Sequence, residues 1–176
     1  MYTKPTAPAH AERKITIRQK KELVVVDGYN VIFAWDELKA IAADSLDTAR
    51  HRLMEVLVNY HGFTGSEVVL VFDGYAVKDN PGDKSPYHGI RIVYTKENES
   101  ADPYIERLLH EIGRNFSVRV VTSDNLIRLS ALGSGILRTS AREFGNEMDW
   151  VMGQIGDILR KSAVGGHSTK LTESRL

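Results

Sequence analysis

The sequence predicts an α/β protein, a layered sandwich in which helices cover a mostly parallel sheet. Two short, wholly apolar runs, at residues 23–26 and 68–72, each end at an Asp-Gly pair, as strands buried on both faces of a parallel sheet do. Between them, residues 45–61 carry apolar side chains at spacings of three and four, which is typical of an amphipathic helix. This order of strand, helix and strand favours parallel pairing through a right-handed crossover.

The elements that follow can be placed along the chain in the same way. The first helix is expected to take Asp44 or Ser45 as its N-cap and to end just before Gly62. Residues 76–89 contain two prolines and two glycines and are expected to form a long loop, after which residues 90–94 alternate as a third strand.

The second half of the chain continues the alternation of helices and strands. A helix is expected to begin near Asp102, with Pro103 at its first helical position, and to end at Gly113. The remaining predicted elements are a strand at 118–121, a short helix at 125–132, a short strand at 136–137 and a last helix at 140–160.

Composition excludes several classes of protein. The 176 residues include 23 basic and 23 acidic side chains and no cysteine, so disulfide frameworks, cysteine-based zinc sites and thiol catalysis are excluded. No apolar run is long enough to cross a bilayer, and the N-terminus lacks the apolar stretch of a signal peptide. We therefore expect a cytoplasmic protein, or one of an organelle stroma if the N-terminal arm is the remnant of a targeting segment.

Charge is unevenly distributed along the chain. Residues 1–22 hold six basic and two acidic side chains, and residues 161–176 hold three basic and one acidic, whereas residues 23–160 hold 14 basic and 20 acidic. We therefore expect a disordered basic arm at 1–21, a folded domain at 22–160 and a flexible tail at 161–176. An acidic domain of this kind does not bind nucleic acid by bulk charge alone.

Aspartates follow the predicted strands at one edge of the sheet. Asp27, Asp73 and Asp124 each follow a strand, and Asp102 begins the helix after the third strand. Because ligands of such sheets bind at the carboxyl ends of the strands, we expect the four carboxylates to converge there. Taken singly, each aspartate is better explained as a turn residue or a helix cap. Together they favour a site for Mg²⁺ or Mn²⁺, which would offset their mutual repulsion.

Asn30 lies three residues after the first of these aspartates. Its amide could face a ligand at the same edge, or Asn30 could be a helix N-cap or a turn residue. The spacing alone leaves these interpretations open.

Longer motifs carry a resemblance to a known family. The sequence LVVVDGYNVI at residues 23–32 resembles the opening strand of the NYN domains, a branch of the PIN-like nuclease superfamily. Four later segments resemble, in order, the motifs of the YacP-like NYN proteins: VFDG at 71–74, YTKENESAD at 94–102, VTSD at 121–124 and LRTSAREF at 137–144. The resemblance covers residues 23–158.

The resemblance implies a PIN-like three-layer α/β/α sandwich and a metal-dependent endoribonuclease. Its best-known branch contains a ribosome-associated enzyme that cuts mRNA during translation, which makes RNA, mRNA in particular, and the ribosome the expected partners. We expect no membrane partner, and a monomer or a weak dimer. The family's acidic positions, both catalytic and metal-binding, match Asp27, Asp73, Asp102 and Asp124, with Asn30 as the polar partner of the first.

These residues suggest a mechanistic hypothesis. Asp27 and Asp124 would hold one Mg²⁺ or Mn²⁺, while Asp73 and Asp102 would help to position a second ion or the attacking water. The expected substrate-binding residues are Asn30, Lys96, Ser123, Arg138 and Arg142, although Arg142 could equally be an ion-pair partner on a solvated helix. Tyr29, Trp35 and Tyr75 could stack on bases, but packing in the core is the better explanation.

Other functions remain as alternatives. A PIN-like module that binds RNA or the ribosome without efficient turnover would share the acidic cleft. A haloacid dehalogenase-type phosphatase would need an aspartate two residues after its nucleophile, where this chain has Tyr29. A sugar- or nucleotide-binding protein is less firmly excluded, although the chain lacks a glycine-rich phosphate loop of the required pattern.

Overall fold

The computed structural model describes residues 20–74, 83–112, 115–122 and 135–165. Six strands form one sheet in the order β3-β4-β2-β1-β5-β6, and all neighbouring strands are parallel except β3 and β4. The strands are β1 (Glu22–Asp27), β2 (Glu67–Phe72), β3 (Asp83–Tyr87), β4 (Ile90–Tyr94), β5 (Ser117–Thr122) and β6 (Ile136–Ser140). The helices are α1 (Gly28–Ala34), α2 (Asp36–Asp44), α3 (Leu46–Thr64), α4 (Ala101–Ile112) and α5 (Ala141–Gly165).

The central strands are buried on both faces, and successive residues face opposite sides of the sheet. Val24 and Val26 of β1 pack with α1, α2, α3 and α5 on one face. Leu23 and Val25 of the same strand pack with α4 on the other face. The uninterrupted apolar runs therefore supply two cores at once, and the predicted three-layer α/β/α sandwich with a mostly parallel sheet is confirmed.

The polypeptide between β1 and α3 is helical, which the sequence analysis did not predict. Asp27 ends β1 and caps α1, so the Asp-Gly pair that resembled a turn is a direct passage from strand to helix. In α2 only Leu38 is fully buried, and so narrow an apolar stripe gives a weak periodic signal.

The end of α3 also differs from the prediction. The helix continues through Gly62 and ends at Gly65, which has a φ of 72°. This left-handed conformation favours glycine and is the usual way in which helices end.

The predicted loop at 76–89 contains a strand, and that part of the prediction was wrong. Residues 83–87 form β3, which pairs antiparallel with β4 at the edge of the sheet. Pro86 is compatible with an edge strand, where one side of the backbone needs no partner. The hairpin turns through His88 and Gly89, which have φ values of 45° and 93°.

A buried ionic network joins the sheet to the helices of one face. Arg119 of β5 donates to the Glu147 carboxylate of α5 at 2.6 Å and forms an ion pair with Glu22 of β1 at 3.2 Å. The Tyr60 hydroxyl donates to Glu147 at 3.0 Å, and burial raises the pKa of Tyr60 to about 12. Because a buried charge is costly without partners, this arrangement fixes the positions of α3 and α5 on the sheet.

Some predictions lie outside the described residues: most of the N-terminal arm, the helix at 125–132 and residues 166–176 of the tail. The start of the tail was predicted wrongly, because residues 161–165 continue α5 to Gly165. Among the helices that the structure describes, none is long and apolar enough to cross a membrane.

Gly74 holds the end of β2 against the segment that follows β4. Its N–H donates to the Thr95 hydroxyl at 2.8 Å, and a Cβ at this position would collide with the backbone carbonyls of Thr95 and Lys96. We expect Gly74→Ala to lower the free energy of unfolding by about 1–3 kcal/mol in urea titrations, as overpacking does. Gly62→Ala is the matched control, because a Cβ there meets nothing within 4 Å and the helix should be stabilised, if anything. Equal stabilities of Gly74→Ala and the native chain would contradict this role.

Candidate active site

Three carboxylates from different elements line one cleft at the carboxyl edge of the sheet. Asp27 ends β1, Asp73 follows β2 directly, and Asp102 lies in the first turn of α4. The cleft has a volume of about 150 Å³ and is lined by Asp27, Tyr29, Asn30, Asp73, Ser100, Ala101 and Asp102. The structure thus brings together three of the four aspartates predicted from the sequence.

Asp27 is the most constrained of these carboxylates. It is only 5% exposed, and its side chain accepts hydrogen bonds from the backbone N–H and the side-chain amide of Asn30. The Thr122 hydroxyl, at the end of β5, donates to the same carboxylate at 3.4 Å. The pKa of Asp27 is raised to about 6 in total: burial is the main cause, the hydrogen bonds from Asn30 oppose it, and the negative charge of Asp102 adds to it.

Asn30 lies in the first turn of α1, and the N-cap of that helix is Asp27. The interpretation of Asn30 as an N-cap was therefore wrong. Because the Asn30 amide donates to Asp27, its role in the structure is to orient a carboxylate. Its predicted contact with substrate stays a prediction.

Asp73 and Asp102 are held across the cleft by a buried threonine. The Thr95 hydroxyl accepts from the N–H of Gly74, next to Asp73, and donates to the Glu99 carbonyl, three residues before Asp102. Thr95 is 2% exposed, so this link between the end of β2 and the start of α4 is shielded from water.

One wall of the cleft is aromatic. Tyr29 lies 5.3 Å from Phe72, ring centre to ring centre, and its hydroxyl accepts from the Arg50 guanidinium at 2.9 Å. Arg50 in turn forms an ion pair with Asp47. Tyr29 is therefore held from both ends and presents a fixed surface beside the carboxylates.

The other predicted site residues are dispersed. Lys96 is exposed and lines a neighbouring cleft, while Arg138 of β6 and Arg142 of α5 are exposed near the end of β6. Asp124 and Ser123 lie outside the described residues, as does Tyr75.

Trp35 packs in the core rather than at the site. Its indole lies 6.1 Å from the Phe144 ring and donates to the Ala141 carbonyl at 2.6 Å. The packing role expected for this residue is confirmed.

Sequence analysis missed Thr95, Ser100 and Thr122 as parts of the site. Thr122 ends β5, and Thr95 directly follows β4. Both lie within the motif segments, and this position at the end of a strand is a usable signal. Ser100 carries no pattern of its own, since only the fold of the segment before α4 directs it to the cleft.

The cleft offers a divalent cation a small set of oxygen donors. Within the described ranges, no three aspartate, glutamate, histidine or cysteine side chains form a group that could hold a metal ion. Carboxylate and amide oxygens are nevertheless the ligands that Mg²⁺ prefers, and this ion takes one or two carboxylates and completes its shell with water and substrate. The carboxylate oxygens of the cleft therefore suit such an ion, and water and substrate would supply the remaining ligands.

A parallel sheet between helical layers, with carboxylates converging at its carboxyl edge, defines the PIN-like class of fold. The sequence model of the YacP-like NYN domain matches residues 24–175, and the chain belongs to this family, whose domain is a nuclease-type hydrolase domain.

Similar proteins come from Bacillus subtilis. The uncharacterized protein YacP of strain 168 is 37% identical over 141 residues, covering 80% of this chain and 82% of YacP. The crystal structure of Rae1 (YacP) superposes with a TM-score of 0.72 at 35% identity, covering 85% of this chain and 86% of that one. The structure of a mutant of Rae1, in which leucine replaces one tryptophan, gives a TM-score of 0.68 at 32% identity, with 88% and 86% covered.

The raised pKa of Asp27 predicts a pH-dependent stability. The folded state binds this proton more tightly than the unfolded state, so folding loses stability as the pH rises from about 4 to about 6. The shift from 3.8 to about 6 corresponds to about 3 kcal/mol above that window. In EDTA, Asp27→Asn should therefore raise the free energy of unfolding at about pH 7.5 and add little at about pH 4.

The matched control is Asp149→Asn, which removes the same charge from an exposed position on α5. The free energy of unfolding at the higher pH should rise for Asp27→Asn and stay near the native value for Asp149→Asn. Urea titrations that show no gain for Asp27→Asn at the higher pH would contradict the burial cost assigned to this carboxylate.

Proposed function

We propose that the protein is an endoribonuclease that hydrolyses RNA phosphodiester bonds with Mg²⁺ or Mn²⁺ in the acidic cleft. The observation that carries the proposal is the convergence of Asp27, Asp73 and Asp102 from three elements on one cleft. A buried carboxylate beside two others is costly without a cation. In a nuclease-type family, this arrangement supports a site for a cation and a phosphate.

The roles of the residues follow from their environments. Asp27 and Asp102, whose charges interact across the cleft, are the proposed ligands, and Asp73 orients the attacking water or a second ion. Asn30 and Thr122 donate to Asp27 and fix the direction of its oxygens. The bound cation would lower the pKa of water and neutralise charge on the scissile phosphate. Asp124 is proposed as a further ligand from its position in the sequence motif.

RNA presented by the ribosome is the proposed physiological substrate. The support for it is the resemblance to a branch with a ribosome-associated enzyme that cuts mRNA during translation. The rival function is an RNA- or ribosome-binding module without efficient turnover, and an assay of cleavage separates the two.

Cleavage of an end-labelled single-stranded RNA and of a hairpin RNA, in Mg²⁺, Mn²⁺ or EDTA, tests the proposal. We expect cleavage by the native chain in either cation and none in EDTA. Asp27→Asn, Asp73→Asn, Asp102→Asn and Asp124→Asn should each lose at least about 100-fold in rate, as expected when a group that stabilises the transition state is removed. Asp149→Asn, purified identically, should cleave like the native chain and controls for contaminating nuclease.

Two outcomes would contradict the proposed nuclease activity. The first is cleavage by the four variants at the native rate. The second is RNA binding without cleavage, both of free RNA and of mRNA on translating ribosomes, which would favour the binding module.

Cation binding can be measured without activity. Because a ligand that binds the folded state stabilises it, Mg²⁺ or Mn²⁺ at about 100 times its Kd should add about 2.7 kcal/mol to the free energy of unfolding. We expect thermal melts to show a rise in Tm for the native chain and for Asp149→Asn, and a much smaller rise for Asp27→Asn and Asp102→Asn. A Tm unaffected by millimolar cation in the native chain would argue against the metal site.

A further inference from the structure

A second cleft lies beside the acidic one. It has a volume of about 550 Å³ and is lined by Lys96, Asn98, Glu99, Ser100, Pro103 and Arg107. Ser100 lines both clefts, so the two are continuous along the segment that leads into α4. Neither cleavage chemistry nor the packing of the core uses this second cleft.

Cations gather on this side of the acidic domain. Lys96 and Arg107 line the cleft, and Lys84 of β3 lies 5.2 Å from the centre of the Tyr104 ring. The Arg107 guanidinium lies 5.6 Å from the centre of that same ring. We call Lys84, Lys96 and Arg107 the cationic strip.

Glu99 is the anion that now pairs with the strip. Its carboxylate forms an ion pair with Arg107, and the two side chains are 18% and 55% exposed. An ion pair this open to water contributes little to stability. Arg107 can therefore exchange Glu99 for a phosphate at small cost.

The shared lining places the cations next to the acidic cleft. Ser100 lines both clefts, and Arg107 follows Asp102 by five residues on α4, which turns it about 140° away from Asp102 around the helix. A strand whose reacting phosphate lies at Asp102 would therefore pass over Ser100 to reach Lys96 and Arg107. Without these cations, the carboxylates of the acidic cleft would repel the neighbouring phosphates.

We propose that the cationic strip binds the phosphates that flank the scissile one, on one side of the cleavage site. The inference rests on the proposed function and deepens it, because it gives the strand a path from the acidic cleft over Ser100 to α4. Arg107 and Lys96 hold the backbone as charges, without reading bases.

The binding test uses fluorescence anisotropy of a short oligouridylate with the native chain, in EDTA and in Ca²⁺, over a range of salt concentrations. For single strands, log K falls with log salt, and each lost phosphate contact makes this negative slope shallower by about 0.7. We expect Lys96→Ala/Arg107→Ala to weaken binding and to make the slope shallower by about 1.4. Arg107→Lys keeps the charge and should retain the slope, and Lys39→Ala, exposed on α2 across the sheet, is the matched control.

A chemical test locates the contact. Neutral methylphosphonate linkages are placed singly along the oligonucleotide, which removes one phosphate charge at a time. At one or two adjacent linkages, the substitution should weaken binding to the native chain several-fold and have little further effect on Lys96→Ala/Arg107→Ala.

The proposal is overturned if the native salt slope persists in the double variant, if methylphosphonates weaken both proteins equally, or if the native chain binds no oligonucleotide in either condition. These readouts need no turnover. A chain that binds through the strip but cleaves neither free RNA nor mRNA on translating ribosomes would contradict the proposed nuclease and leave the strip as a binding site.

Discussion

The arrangement of the site depends on one buried carboxylate, Asp27, at the carboxyl end of the central strand β1. Burial and the neighbouring Asp102 make its ionised form costly, while Asn30 and Thr122 donate to it and lower that cost. The same side chain caps α1, so the fold cannot relieve this cost by turning the carboxylate to solvent without losing a helix cap. A buried carboxylate whose ionised form is destabilised in this way, at the edge of a well-packed sheet, is typical of a functional site.

The strands were largely predictable because residues buried on two faces leave unbroken apolar runs. Val24 and Val25, for example, enter different cores although they are neighbours. The helices α1 and α2 were not predictable, since α1 begins at the glycine of an Asp-Gly pair and α2 buries only Leu38 fully. The strand β3 was missed because Pro86 and the surrounding polar residues resemble a loop, and its pairing with β4 is a tertiary contact.

For the site, chain topology was sufficient to bring Asp27, Asp73 and Asp102 together, because each follows or precedes an element at the same sheet edge. The hydrogen bonds that adjust their geometry were not visible in the sequence. Thr95 links Gly74 to Glu99 through contacts 21 and four residues apart. Asn30 was identified from its spacing, yet its role became clear only from its hydrogen bonds to Asp27. The fourth aspartate, Asp124, remains a prediction from the motif.

The most direct test of the proposed metal site is anomalous diffraction from crystals grown with Mn²⁺, because it locates the cation without relying on activity. We expect an anomalous peak in the acidic cleft, in direct contact with a carboxylate oxygen of Asp27 and with Asp73 or Asp102, and its loss in Asp27→Asn. The crystals are grown with Mn²⁺ in large excess over protein. The absence of anomalous density in the cleft, including the case where density appears only elsewhere on the surface, would contradict the proposal that these carboxylates form a metal-dependent catalytic site.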